Sequence, residues 1–196
     1  MEGSFEKALA HTLNIEKGFV DDPTDRGGAT NWGITEKVAR KHGYIGRMQD
    51  MPRATAVAIY RESYWDERHL PCEQISDWYE ALALELFDSG VNMDPKIAAG
   101  FLQVGLNFFN RDARTFPNLK VDGWAGTRTI EALNTLDPLR YGRNLTAFCN
   151  TLQGRRYWEI CTPLDQQEAA DWLRVHDGRE DQEKYALGWF DKRVAQ

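Results

Sequence analysis

The sequence predicts a predominantly helical α+β fold with one small β-hairpin next to the first helix. Beyond residue 35, apolar side chains recur at helical spacing in successive segments that begin with Thr, Asp or Pro. Between residues 18 and 35, Gly, Asp and Pro instead surround short stretches of β-branched and aromatic residues, a pattern typical of a hairpin. A chain of 196 residues, 42% of them hydrophobic, is long enough to build a sizeable core from these elements.

Local start and stop signals place the helices. Thr35 and Gly43 bound a short helix, and Asp94-Pro95 opens a central one. Residues 110–123 are predicted as loop and turn, and residues 162–181 as irregular. The predicted helices cover residues 4–15, 36–42, 52–65, 76 or 77 to 87, 95–108, 127–136, 138–160 and 182–194.

The first helix carries an acid at its end. Its apolar stripe consists of Phe5, Leu9 and Leu13, and Glu16 continues the same face. Partial burial disfavours the charged form of a carboxyl group and raises its pKa, which suits a general acid. The alternative is an ordinary surface glutamate on a last turn that Gly18 ends.

The hairpin segment supplies further polar groups. Hydrolysis of a glycosidic bond needs two carboxyl groups on opposite sides of that bond, so Asp25 is the predicted partner of Glu16. The Thr30 hydroxyl is predicted to orient the attacking water, and Gly27 and Gly28 to adopt backbone angles closed to other residues. The alternative is that the aspartates of this segment only cap backbone N–H groups in turns.

The run from Glu16 to Thr35 reads E-x-G-F-V-x-x-P-x-D-x-G-G-x-T-x-x-G-I-T and resembles the signature of glycoside hydrolase family 108, the muramidases of bacteriophages and prophages. Its Glu, Asp, Thr succession also resembles phage-type lysozymes, where Asp and Thr usually lie one residue further apart. The segments IYRESYW (59–65), LFDSGVN (86–92) and FLQVGLN (101–107) are similar to the helical core of the family. VDGWAGTRTIEALN (121–134) and GWFDKRV (188–194) resemble the predicted peptidoglycan-binding region attached to it.

This resemblance implies a lysozyme-like single domain with the hairpin beside the catalytic cleft. Residues 1–94 would form the muramidase lobe, and residues 95–196 a helical lobe that shares its core. The implied activity is hydrolysis of the β-1,4 bond between N-acetylmuramic acid and N-acetylglucosamine, by inversion, with Glu16 as the acid. The alternatives are a lytic transglycosylase on the same bond, a non-catalytic wall-binding protein, and another polysaccharide hydrolase such as a chitinase.

Three residues are predicted to bind substrate. Aromatic faces commonly bind sugars, and Trp32 is one of seven tryptophans. Asp88 and Asn92 fall four apart on a predicted helical face, where they either hold sugar hydroxyls or bind the hairpin backbone. Gly123 and Gly126 resemble a peptidoglycan-binding turn, although a plain turn and helix cap is the favoured interpretation.

Composition argues against several classes of partner. A net charge of −6 without a basic cluster argues against nucleic acid, and it gives no electrostatic steering towards an anionic wall. Three cysteines and four scattered histidines predict neither a disulfide framework nor a metal site, and no cofactor is expected. No apolar run is long enough to insert into a membrane, and the first residues lack the apolar region of a signal peptide.

The resemblance also implies a biological setting. A phage endolysin of this kind would be a monomer, made in the host cytoplasm. It would reach the peptidoglycan only after a holin had opened the membrane, and it would then lyse the cell. Delivery by a bacterial secretion system is the alternative route.

Overall fold

The computed structural model describes residues 3–15, 18–21, 28–66, 68–111 and 113–161. The predictions for Glu16, Asp25, Gly27 and the segment 162–196 lie outside these residues. The described elements are α1 Ser4–Ile15, β1 Phe19–Val20, β2 Thr30–Asn31, β3 Ile34–Thr35, α2 Glu36–Lys41, α3 Arg53–Tyr60, α4 Cys72–Trp78, α5 Glu80–Asn92, α6 Pro95–Phe109, α7 Thr127–Asn134 and α8 Pro138–Cys161.

The fold is α+β and predominantly helical, as predicted. Its small sheet contains three antiparallel strands in the order β1-β2-β3. Trp32 and Gly33 form the turn between β2 and β3. Their φ angles of 55° and 73° are positive, as the turns of tight two-residue hairpins require.

Side-chain caps set the starts of α2 and α6 where the sequence predicts them. The Thr35 side chain accepts a hydrogen bond from the Val38 N–H at the start of α2. Asp94 caps α6 by accepting from the Lys96 N–H at 2.7 Å, and Pro95 occupies the first turn. A π-helical turn, Arg61–Trp65, extends α3 and was not expected from the sequence.

The helix predicted from Ser76 or Asp77 to Phe87 is wrong, because the structure has two helices there. The break falls at Tyr79, whose φ of −159° and ψ of 106° are extended. The Tyr79 ring packs so closely on Gly142 of α8 that a Cβ at position 142 would collide with it. A contact with a residue far along the chain therefore overrides the local helical pattern.

The core surrounds α5, which packs against α1, α4, α6 and α8. The rings of Phe5, Trp65 and Phe87 meet edge to face, with centroids 5.6–6.3 Å apart. Leu102 and Leu145, from α6 and α8, belong to the same buried cluster. The division into lobes at residues 94 and 95 stays a prediction. Within the described ranges, no helix is both long and apolar enough to cross a membrane.

Candidate active site

Helix α1 leads directly into the predicted acid. The helix ends at Ile15, and Gly18 follows with a φ of +102°, a conformation that ends a helix cleanly. Phe5, Leu9 and Thr12 are buried on the packed face of α1. Phe5 and Leu9 of the predicted stripe are thus buried, while the Leu13 side chain and Glu16 lie outside what the structure describes.

The sheet beside α1 is anchored to the helical part by side-chain hydrogen bonds. Asn31 is only 5% exposed, and its Nδ2 donates to the Met48 carbonyl at 2.7 Å. The Trp32 indole N–H donates to the Met51 carbonyl at 3.0 Å. The Tyr60 hydroxyl donates to the Trp32 carbonyl, also at 3.0 Å. These bonds fix β2 and its turn against residues 48–51 and α3.

Replacing Asn31 with alanine should destabilise the protein by about 0.5–1.5 kcal/mol, because it removes the buried side-chain hydrogen bond to the Met48 carbonyl, which then keeps only its bond from the Met51 N–H. For a chain of this size we expect the melting temperature to fall by about 2–4 °C per kcal/mol. Gln49→Ala is the matched control, since exposed Gln49 contributes only its backbone carbonyl to this contact. Equal melting temperatures for the two variants would show that Asn31 does not anchor the sheet.

Thr30 lies in the middle strand of this sheet. It pairs with Val20 of β1 and Thr35 of β3. Gly28, which precedes it, has the positive φ of +76° expected for this glycine, and a Cβ there would lie 3.4 Å from Glu36. The structure therefore holds Thr30 on a fixed strand, and its role in orienting water stays a prediction.

Trp32 is half-buried, and both its indole N–H and its carbonyl oxygen are engaged within the protein. A positive φ is uncommon for a bulky residue, so this conformation depends on those contacts. Any contact with a sugar would have to use the ring face. Its assignment to substrate binding stays a prediction.

Asp88 and Asn92 lie on α5, and the Asp88 side chain connects this helix to α8. The Asp88 carboxylate accepts from the Gln153 side chain at 3.0 Å, and exposed Asn92 donates to the Asp88 carbonyl at 2.9 Å. Among the hydrogen bonds of the described residues, neither side chain reaches the hairpin. Their substrate-binding role stays a prediction.

Sequence reasoning missed Glu85, one turn before Asp88 and Ser89 on α5. Burial and, to a smaller extent, the Asp88 charge raise the pKa of its carboxyl group from 4.5 to about 7, while a hydrogen bond with the Ser89 hydroxyl opposes the shift. Glu85 interrupts an apolar helical stripe that contains Leu82 and Leu86, the same signal that singles out Glu16. A carboxyl group held neutral near pH 7 can donate a hydrogen bond or a proton.

Glu85→Gln should make the stability less dependent on pH. Because the pKa of Glu85 is higher in the folded protein than in the unfolded chain, its contribution to stability is fully present below pH 4.5 and is lost as the pH rises to about 7. After allowance for partial exposure, we expect wild type to lose roughly 1–2 kcal/mol more than the variant between pH 4.5 and 8. Urea unfolding at both pH values measures this difference, and parallel curves would contradict the shifted pKa.

The DGWAG segment is a turn and a helix cap, as favoured from the sequence. Buried Gln103 donates to the Asp122 side chain and the Trp124 carbonyl, and it accepts from the Asp122 and Gly123 N–H groups. Gly123 has a φ of +72°, and Gly126 caps α7. An open groove of about 770 Å³ borders this turn and α7.

No group of three His, Cys, Asp or Glu side chains within the described ranges is arranged to hold a metal ion. Cys72 and Cys149 are buried.

Comparisons with known proteins connect this arrangement to a family. Residues 9–93 match glycosyl hydrolase 108. The structure is similar to that of SagA from Brucella abortus, with 22% sequence identity, a TM-score of 0.56, and coverage of 97% of this chain and 95% of that chain. At this identity the similarity shows a shared fold. A search of curated proteins found no significant match.

The family match spans residues 9–15 of α1, the complete sheet and α5. The resemblance noted in the Glu16–Thr35 motif is thereby confirmed. The match to glycosyl hydrolase 108 over residues 9–93 supports a glycoside hydrolase that acts on peptidoglycan.

Proposed function

We propose that the enzyme is an N-acetylmuramidase that cleaves the β-1,4 bond between N-acetylmuramic acid and N-acetylglucosamine by inverting acid/base hydrolysis. One observation carries this proposal. The family match covers the end of α1, just before Glu16 in the sequence, and the anchored sheet that contains Thr30, which supports the proposal.

In this mechanism the Glu16 carboxyl group donates its proton to the glycosidic oxygen as the bond breaks. Asp25 accepts a proton from a water molecule, and the Thr30 hydroxyl orients that water. The water attacks the anomeric carbon from the face opposite the leaving sugar, so the configuration inverts. Such a mechanism needs roughly 6.5–9.5 Å between the two carboxyl groups to accommodate the water.

We further propose Trp32, Asp88 and Asn92 as substrate contacts. The Asp88 carboxylate already accepts from Gln153, and it has further acceptor capacity for a sugar hydroxyl. Asn92 is exposed at the end of α5, where its amide oxygen is available to a ligand. The lobe of residues 95–196 would add affinity for the wall.

The biological setting remains part of this proposal. The protein would act as a monomeric endolysin of a bacteriophage or prophage. It would be made in the host cytoplasm and released to the peptidoglycan by a holin, with delivery through a secretion system as the alternative. Expression with and without a co-expressed holin, read as lysis of the culture, tests the route.

Mass spectrometry of purified peptidoglycan after digestion tests the reaction. Muramidase activity yields fragments with a reducing N-acetylmuramic acid end. A 1,6-anhydro end would instead establish a lytic transglycosylase, and a reducing N-acetylglucosamine end would establish cleavage of the other glycosidic bond. Undigested wall to which the protein remains bound would indicate a binding protein without activity.

A further inference from the structure

Apart from the residues assigned to glycan cleavage, a serine, a histidine and a glutamate form one hydrogen-bonded chain between α2 and the π-helical turn. The Ser63 hydroxyl lies 2.9 Å from Nε2 of His42, and the Glu62 carboxylate lies 3.2 Å from Nδ1 of the same ring. The tautomer that carries its proton on Nδ1 satisfies both contacts, since it donates to Glu62 and accepts from Ser63. A nucleophile, a base and a group that orients the base therefore follow one another in the order that activates a serine.

The π-helical turn Arg61–Trp65 explains how two neighbouring residues reach one ring. Because a π-helix holds more residues per turn than an α-helix, its successive side chains diverge less, and Glu62 and Ser63 both extend to His42. His42 ends α2, where its N–H donates to carbonyl groups of the preceding turn. Short π-helical turns are frequent at functional sites. The backbone on both sides of the contact is thus ordered by helical hydrogen bonds.

Ser63 and His42 border a cavity of about 290 Å³ between α2, the π-helical turn and the start of α6. The His42 side chain is 16% exposed and Ser63 is half-buried, so both lie in the wall of a recess that a ligand can enter. Val38 and Pro95 add apolar surface to the same lining. The volume lies at the lower end of the range for ligand pockets, which favours a small substrate with a short apolar group.

Other residues of the lining suit a developing negative charge. Lys41 and Lys96 line the cavity, and Asp94 beside them caps α6 by accepting from the Lys96 N–H at 2.7 Å. Burial and the Asp94 charge raise the pKa of the Tyr64 hydroxyl, which keeps this group a hydrogen-bond donor. Attack on a carbonyl group places negative charge on its oxygen, and cations and donors of this kind stabilise that charge.

We propose that Ser63, His42 and Glu62 form a second active site, which hydrolyses short-chain carboxylic esters. The Ser63 Oγ atom attacks the carbonyl carbon and gives its proton to His42 Nε2, which passes it to the leaving oxygen as the ester C–O bond breaks. Water then attacks the acyl-serine and gives a proton to His42. The bond from the acyl carbon to Oγ breaks, and Ser63 takes that proton back. An alcohol and a carboxylic acid leave, so water is the only further reactant.

Glu62 acts through His42 as a positioning residue. Its carboxylate holds the Nδ1 proton of the ring and stabilises the positive charge that the ring carries after it has accepted a proton from Ser63. The Glu62 side chain is 76% exposed, so its effect should be smaller than that of a buried carboxylate. This activity requires neither Glu16 nor Asp25 and is independent of glycan cleavage.

The test uses a fluorophosphonate probe, which bonds to an activated serine with loss of fluoride, and p-nitrophenyl acetate as the ester. For wild type we expect one label per chain, located at Ser63 by peptide mapping. Ser63→Ala should lose the label, and both Ser63→Ala and His42→Gln should lower ester turnover by roughly two to four orders of magnitude. Ser76→Ala is the control, because Ser76 is also half-buried but lies on α4.

Glu62 is tested by the division between kcat and KM. Glu62→Gln should lower kcat for the ester roughly tenfold with KM unchanged, and Glu62→Asp should restore part of the loss because it keeps the charge.

The proposal is overturned if wild type takes no label at Ser63, or if folded Ser63→Ala hydrolyses the ester as fast as wild type. Melting of each variant shows whether it is folded. If Ser63→Ala does not fold, the mapped position of the label on wild type decides the question without it.

Discussion

Glu16→Gln is expected to lower peptidoglycan hydrolysis by roughly two to four orders of magnitude. Glutamine keeps the shape of the side chain and its hydrogen-bonding capacity, but it cannot give a proton to the leaving oxygen. The sugar then has to depart as an alkoxide, and the transition state loses the stabilisation that general acid catalysis provides. The measurement is the initial rate of reducing-end release from purified peptidoglycan.

Two controls make this result interpretable. Melting of Glu16→Gln should match wild type closely, because the described anchors of α1 are Phe5, Leu9 and Thr12, which the substitution leaves intact. Glu6→Gln removes another carboxyl group at an exposed position and should keep full activity. A Glu16 variant with most of its activity would reject Glu16 as the acid. Glu85 would then be the next residue to replace, since its pKa near 7 also suits an acid.

Local chemistry explains which parts of the fold could be predicted from the sequence. Thr35 and Asp94 cap helices through their own side chains, and the Gly28 conformation follows from its turn. Such signals depend on neighbours in the chain, which a sequence displays. Tyr79 ends α4 through its packing on Gly142, a contact that no local pattern contains. The predicted continuous helix failed for that reason.

The same distinction applies to the site. The sequence distinguishes Glu16 because this residue ends an apolar stripe and belongs to a recognisable motif. Glu85 lies in the middle of an apolar stripe and belongs to no such motif. What changes the pKa of Glu85 is its enclosure in the packed helices, where α8 faces it, together with the Asp88 charge. The raised pKa thus depends on tertiary packing that the sequence does not show. The sequence reveals that Glu85 interrupts a stripe, and only the fold shows what surrounds it.

Asp25→Asn is expected to reduce hydrolysis strongly, by roughly one to three orders of magnitude, and Thr30→Ala less so. An aspartate flanked by turn residues should stay ionised and can take a proton from the attacking water, which asparagine cannot do. Thr30 contributes a hydroxyl from a strand that Asn31 anchors. Loss of this hydroxyl should position the attacking water less accurately, but it leaves the base in place. The comparison of the two variants separates proton transfer from water placement.

The stereochemistry of the first product tests whether Asp25 acts as the base that activates water. If Asp25 activates water, the new reducing end appears in the α-configuration, opposite to that of the β-1,4 bond. Proton NMR of the anomeric signal must be recorded before the anomers equilibrate, with Thr30→Ala measured beside wild type. Both should invert, because Thr30 affects the rate and not the face of attack.

A β-product from wild type would instead require a covalent or a substrate-assisted intermediate. In the covalent route the two carboxyl groups are typically only about 5–5.5 Å apart. In that case a nucleophilic role for Asp25 predicts that Asp25→Asn no longer forms the glycosyl-enzyme, which intact-protein mass spectrometry detects directly.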